Sequence, residues 1–510
     1  MLQNGYQRCH VLFLSAGASL LLLVLGCSVQ TSAPTDSTAI PATGPGQAEV
    51  PPKAHPPVSA VPWQETASRL TAALTERGYT VQAGEFRFFQ VKDCLAMPNC
   101  VGNNPSSPYG MYCLPPAPGH APVRAVEPPC PREGHLRWVW RLREDEALVF
   151  LGKTPPRSRY FSFRSYLFSR KDWFRHRELF ASLGDSLHLL DIATTGSPNG
   201  AGGDPFAQET VVISTADRRI DTILRQLLPS SGAPEAIVNT DIIPRAITHM
   251  GVDDEASDSF AMLVRVALFA DRDAGERYQQ APPATVLRVT PSTPVAIDPF
   301  AVPPQRPRGT NTAEDWLRPA LAELAAAVKA HYHNLEVKTR RTFAVDLSGR
   351  RCIEQGTVCF GDNSDTTYIA SIPIRLSDQP QDFLIVVGIN HHATGKASYM
   401  NLGVYHFKRL MGIGAVTGDD LAGSADRYLP NHPLRRYLYA YKFARHCQGE
   451  ADCFPVPTEE IGVPLDDALN FIERAYLELA TRTGPLSSQL LIPQVLRFCP
   501  SFTLFGGCDP

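Results

Sequence analysis

Apolar residues recur at helical spacing in a few stretches of this chain and run or alternate with period two in many more. TASRLTAALTERGYT (66–80) puts Leu70, Ala73 and Leu74 on one side of a helix, with Gly78 as its stop. VQAGEFRFFQV (81–91) follows as a strand. LRWVWRL (136–142), EALVFLG (146–152), RYFSFRSYLF (159–168), SLHLLDIAT (186–194) and ETVVIST (209–215) are β-branched or aromatic and bounded by turn residues, so they predict further strands. WFRHRELFASL (173–183) is helix-like. ADRRIDTILRQLL (216–228) is amphipathic, with Ile220, Ile223, Leu224 and Leu227 on one face. EAIVNTDIIP (235–244) and FAMLVRVALFA (260–270) are strands of the buried type.

A proline-rich segment then interrupts the pattern. Beyond it, NTAEDWLRPALAELAAAVKAHYHNL (311–335) predicts a helix capped by Asn311 or Thr312, with Glu314 and Asp315 in the first turn. VKTRRTFAVDL, TTYIASIPIRL, DFLIVVGIN and ASYMNLGVYHF (all within 337–407) are a meander-like strand series. PLRRYLYAYKFARHC (433–447) and PLDDALNFIERAYLELATR (464–482) are predicted as helices. The expected fold class is α+β: two disulfide-stapled domains, each a mainly antiparallel sheet with flanking helices. The first spans 63–300, a Pro-rich linker covers 301–311, and the second spans 312–510.

The N-terminus has a different character. Residues 11–27, VLFLSAGASLLLLVLGC, form an apolar run of signal-peptide length, too short for a membrane span. Its end, Val24-Leu25-Gly26-Cys27, resembles the lipobox of bacterial lipoproteins. That resemblance implies cleavage of residues 1–26, palmitate and other acyl chains on Cys27, and attachment to the membrane through that lipid anchor. Ser28, rather than Asp, implies sorting to the outer membrane, facing either the periplasm or the surface. Residues 27–62 are rich in Pro, Ser and Thr, with too little apolar surface to offset the entropy of ordering, and read as a disordered tether.

The chain has 510 residues with 48 Lys and Arg against 51 Asp and Glu, a net charge of −3. So balanced a charge argues against nucleic acid as a partner. Of twelve cysteines, Cys9 leaves with the signal peptide and Cys27 takes the lipid. The rest fall in near-neighbour groups: Cys94 and Cys100, Cys113 and Cys130, Cys352 and Cys359, Cys447 and Cys453, Cys499 and Cys508. None has the short spacing of zinc pairs, so in an oxidising envelope they read as disulfides.

Candidate chemistry is sparse. HExxH, CxxCH, GxSxG and a helix-opening GxGxxG are all missing. Gly184-Asp185-Ser186-Leu187 resembles the signature of GDSL hydrolases, but the one Asp-x-x-His, Asp185 to His188, overlaps the serine and cannot supply its base. Gly395-Lys396 lacks the spacing and hydroxyl of a phosphate loop. His331 and His333 near a helix end need no role beyond the helix dipole.

Three features remain. In RYFSFRSYLF, Tyr160, Ser162, Arg164 and Tyr166 share one strand face, so Tyr160, Arg164 and Tyr166 are candidate contacts for a planar or anionic ligand. His391 and His392 end an apolar strand, where they are candidates for catalysis or, with His406, for a metal. In a tight hairpin His406 would sit at the far end, so Asp362, Asp365 or His432 would have to supply a further ligand. GDNSDTTY (361–368) reads either as a calcium loop or as an Asx-rich turn. No cofactor is implied. The pattern therefore points to an outer-membrane lipoprotein that binds a small molecule or an envelope protein; the alternative is an envelope enzyme, metal-dependent or not, with its site around His391 and His392.

Overall fold

The structure is a computed structural model and describes residues 59–500, apart from 97–99, 124, 132 and 173–175. Cys27, the signal peptide, most of the tether and Cys508 lie outside the described residues. Strands such as Ala147–Lys153, Ser158–Lys171, Ser259–Phe269 and Phe383–Ile389 are buried along nearly their whole length. A strand is buried in this way only when both faces of its sheet are covered, and the architecture shows what covers each.

Residues 79–291 build a ten-stranded sheet. Its order is Val238–Ile242, Glu209–Thr215, Ala147–Lys153, Ala284–Pro291, Tyr79–Phe89, Tyr109–Cys113, Ser259–Phe269, Ser158–Lys171 and His176–Ser182, with Leu187–His188 added to Ser158–Lys171. Only the first pair is parallel. Residues directly opposite one another share a face. Phe86, Tyr112, Phe150, Phe163, Met262 and Val264 thus point to one side and form the main core with Trp140 and Phe260. On the other side, helices Trp63–Glu76 and Arg218–Ser231 cover one end through Leu70, Leu74, Ile220 and Leu224 against Val149, Ile213 and Val289. The far end of that face carries Tyr109, Met111, Leu263, Arg265, Tyr160 and Tyr166.

The remainder of the chain covers that far end. It forms two further sheets rather than the expected one. Glu336–Arg340, Gln494–Cys499, Phe383–Ile389, Leu438–Ala444 and Cys453–Pro455 make a five-stranded sheet. Thr342–Val345, Thr366–Ser371, Ala468–Tyr476, Tyr399–His406 and Met411–Thr417, with Ile374–Arg375, make a six-stranded one. They sandwich Leu384, Val386, Met400, Leu402, Phe443, Phe471 and Val495. Helix Arg318–His331 seals the outer side of the five-stranded sheet through Leu321, Leu324 and Val328. The outer side of the six-stranded sheet faces the first one. All described residues belong to one compact unit. Among them, no helix is long and apolar enough to cross a membrane.

Several predicted elements are corrected. The helices expected at 433–447 and 464–482 are strands Leu438–Ala444 and Ala468–Tyr476. Both lie between covered faces, so their apolar residues do not alternate cleanly, and their Ala, Leu, Glu and Arg favour helix until tertiary packing overrides that preference. The helix-like 173–183 contains strand His176–Ser182. SLHLLDIAT contributes only Leu187–His188. Asn311 and Thr312 do not cap the long helix, which opens with a 3-10 turn Asp315–Leu317 before Arg318–His331. The four strand segments after it are not a meander, because Phe383–Ile389 and Tyr399–His406 belong to different sheets. His391 and His406 therefore do not share a hairpin.

Among the described residues, four disulfides join the expected neighbours: Cys94–Cys100, Cys113–Cys130, Cys352–Cys359 and Cys447–Cys453. The Pro-rich segment 301–311 has no regular structure after residue 300 but is tied down. Arg306 N–H donates to Asp185 at 2.6 Å, Arg308 to the Ser364 carbonyl at 2.6 Å, and Thr310 to Glu478 at 2.7 Å.

Candidate functional site

Charged residues within buried strands are the natural place to look for function, since each must be neutralised, hydrogen-bonded or used. Most are neutralised. Arg288 is held by Glu146 at 2.9 Å, Arg164 by Asp241 at 2.8 Å, Arg497 by Asp382 at 3.0 Å and Lys396 by Glu478 at 2.7 Å.

Arg265 and Arg474 are different. Arg265 lies on Ser259–Phe269, opposite Tyr109 and Ser162; Arg474 lies on Ala468–Tyr476, opposite Tyr368 and Asn401. They are only 3% and 4% exposed. Neither forms an ion pair with a described carboxylate. Arg265 donates to the Tyr166 hydroxyl and, at 2.6 Å, to the Gly361 carbonyl. Arg474 donates to the Tyr405 hydroxyl and, at 2.8 Å, to the Gly102 carbonyl. Aromatic rings surround both: Arg265 lies 5.6 Å from the Tyr109 ring and 5.2 Å from Tyr166, Arg474 5.5 Å from Tyr368 and 5.3 Å from Tyr405. Burial pushes the Tyr166, Tyr368, Tyr405 and Tyr476 phenols above their usual range, so they stay neutral and cannot act as counter-ions. Asp362 senses the charge of Arg265, but its oxygens accept from Ser182 N–H, Ser182 hydroxyl and Gly349 N–H at 2.7 to 2.8 Å.

Both guanidiniums border one cleft between the ten-stranded and six-stranded sheets, about 660 Å³ including its open mouth. Phe89, Met111, Trp138, Phe180, Leu263 and Phe360 give it an apolar wall; Tyr109, Tyr368, Tyr476 and Asn103 stand beside the arginines. Residues 100–103, beside the Cys94–Cys100 disulfide, form one rim. Val101, Phe180 and Phe360 in this lining have positive φ of 53°, 40° and 53°. Left-handed backbone at bulky residues is strained and concentrates at ligand sites.

The residues singled out from sequence lie elsewhere. Tyr160, Arg164 and Tyr166 do share a face with Arg265, but it is an internal face rather than the expected open surface, and none of the three lines the cleft. Tyr160 donates to Asp365 at 2.7 Å, and Tyr166 to the Asp362 carbonyl at 2.7 Å. GDNSDTTY thus plugs the second half of the chain onto the first sheet.

His391 is fully buried inside the sandwich. Its Nδ1 lies 2.9 Å from Glu314 and its Nε2 3.0 Å from Glu473, which also accepts from the Tyr439 hydroxyl. Burial opposes its charge, but the two carboxylates outweigh that and push His391 up to about 10. An imidazolium with both N–H groups engaged has no lone pair for a metal or a substrate proton. His392 is half-buried, with Nδ1 3.2 Å from the Ala397 carbonyl. His406 pairs with Asp467 at 3.3 Å. Glu473 stands opposite Leu402, four residues from His406, about 13 Å along the strand. His391 and His406 are therefore not brought together. His432 pairs with Glu323 at 3.5 Å. Among the described residues, no group of three or more His, Cys, Asp or Glu is arranged to hold a metal. Ser186 is buried, its hydroxyl donating to Asn363 at 3.0 Å.

No family model matches the chain, and no curated protein does. Solved structures similar to it include an uncharacterised protein from Burkholderia cenocepacia, at 12% identity over 86% of each chain with a TM-score of 0.33. The VPA0106 protein from Vibrio parahaemolyticus is similar at 9% identity over 85% of this chain and 96% of that one, with a TM-score of 0.36. Neither likeness carries an argument about function.

Proposed function

We propose that the protein is an outer-membrane lipoprotein, anchored through Cys27, in which the two halves of the folded chain close a cleft that binds a small anionic molecule. One observation carries the reading: two buried guanidiniums, on strands of different sheets, border the same cleft without a carboxylate partner. Burying a cation costs several kcal/mol that its Coulomb partners normally return. Here that return is left to a ligand. Phenol dipoles and ring faces hold the positive charge meanwhile, and each guanidinium uses only part of its five-donor capacity on the protein. A catalytic reading has less support, since His391 is saturated by carboxylates and Ser186 has no base.

Thermal unfolding in the presence of inorganic phosphate, acetate or benzoate tests the proposal. A ligand at a hundred times its Kd stabilises the native state by about 2.7 kcal/mol. The expected result is a concentration-dependent rise in Tm with at least one of these anions, absent in an Arg265→Met/Arg474→Met variant. An equal rise in that variant, or none in the parent, rules the proposal out.

A further inference from the structure

The lining of the cleft is chemically mixed, and the mixture narrows the ligand. Arg265, Arg474, Tyr109, Tyr368 and Asn103 supply the polar capacity of the lining. Asn103 uses its Oδ1 on the Gly412 amide at 2.8 Å, which leaves its NH2 with no partner among the described residues. Phe89, Met111, Trp138, Phe180 and Phe360 carry no charge and supply much of the apolar remainder. Trp138 and Phe360 are half-buried, so these rings present area that a ligand can still cover. A free inorganic anion would satisfy the arginines and leave this wall wet. A neutral apolar molecule would cover the wall and leave two cations without a counter-charge.

We infer that the ligand is an amphipathic anion, with a carboxylate or phosphate head between Arg265 and Arg474 and an acyl or aryl tail along the Phe89–Trp138–Phe360 side. This rests on the anion-binding reading above and adds the tail to it. The cleft is open at one side, so the tail can lead out towards solvent. The envelope location proposed here would bring such amphiphiles within reach.

Calorimetric titration of the full-length protein with acetate, butyrate, hexanoate and octanoate tests this, with octyl phosphate and 1-octanol as further arms. Each fully buried methylene is worth roughly fourfold in affinity, so octanoate should bind at least about tenfold more tightly than acetate. Phe360→Ala should narrow the gap between octanoate and acetate, with a larger loss for octanoate than for acetate; Trp138→Ala reads the same wall if Phe360→Ala does not fold. 1-Octanol should bind more weakly than octanoate, and the stronger of octanoate and octyl phosphate identifies the head group. Equal affinities for acetate and octanoate would overturn the tail and leave the anion site standing. Equal affinities for octanoate and octanol, unaffected by Arg265→Met/Arg474→Met, would overturn both. So would no binding by any probe.

Discussion

Glu473 and Arg474 are neighbours in sequence and face opposite sides of the same strand. Glu473 points into the sandwich, where it holds His391 at 3.0 Å; Arg474 points out towards the cleft and donates to the Gly102 carbonyl at 2.8 Å. Pleating separates two opposite charges that would otherwise neutralise each other. One is committed to structure; the other is one of the two cations proposed to meet an anion. Replacing a whole buried ion pair with apolar residues of similar volume is often neutral or stabilising by about 1–4 kcal/mol, and a buried cation with no carboxylate partner carries the desolvation cost without the Coulomb return. Arg474→Met is therefore expected to leave Tm unchanged or raise it while anion affinity falls, as denaturant unfolding and titration of one preparation would show. A large loss of stability would mean that Arg474 is there to brace the fold.

The carboxylate–imidazolium–carboxylate bridge of Glu314, His391 and Glu473 ties the start of the long helix to two sheets. Removing one partner of a buried ion pair costs about 3–5 kcal/mol, so His391→Ala should lower stability by that order in urea unfolding. A loss under 1 kcal/mol would contradict the bridge.

Stability should also follow pH in a particular sense. His391 is raised in the folded state to about 10, against an unfolded value of about 6.5. Its contribution is thus complete below about pH 6.5 and is lost as pH rises through 10. Glu314 is the opposite case: despite burial, His391 holds it below its ordinary range, so its contribution is present above about pH 4.3 and is lost as pH falls. The parent should lose stability between pH 7 and 10 more steeply than His391→Gln. Parallel profiles would contradict the assignment.

Anion binding should show no such slope. Arginine stays charged, and burial keeps the surrounding phenols protonated. Benzoate affinity is expected to vary less than about threefold between pH 6 and 9. A sharp fall across that range would implicate a titrating group outside the two arginines.

The Cys94–Cys100 disulfide precedes the rim whose Gly102 carbonyl holds Arg474. In the chain-entropy account a loop this short contributes about 2 kcal/mol. Cys94→Ala/Cys100→Ala should reduce stability by roughly that much and weaken ligand binding by loosening the rim. Unchanged affinity would show that the rim is held by its backbone bonds, Cys100 to Arg409 and Gly102 to Leu410, alone.

Legibility in the sequence followed the range of the interactions. The helices around Leu70 and Ile220 and most strands of the first sheet depend on local pattern, and the pattern showed them; the near-neighbour disulfides fit the cysteine grouping, whose spacing did not by itself fix the pairing. Leu438–Ala444 and Ala468–Tyr476 misled because both faces of each are covered. The shared face of Tyr160 and Tyr166 was readable, but not that residues 361–365 would cover it. The cleft was not legible at all: Gly102, Tyr109, Arg265, Phe360, Tyr368 and Arg474 come from distant segments and form no motif. One signal was present. Arg265 is the single charge in FAMLVRVALFA, an otherwise apolar run, and a lone charge there requires either a partner or a use.

The most direct measurement is a calorimetric titration with benzoate, comparing the parent protein and Arg265→Met/Arg474→Met. If the two arginines hold the anion, the parent has one site per chain and a variant of equal or higher Tm binds at least about tenfold more weakly. Equal affinity in the two proteins would contradict it.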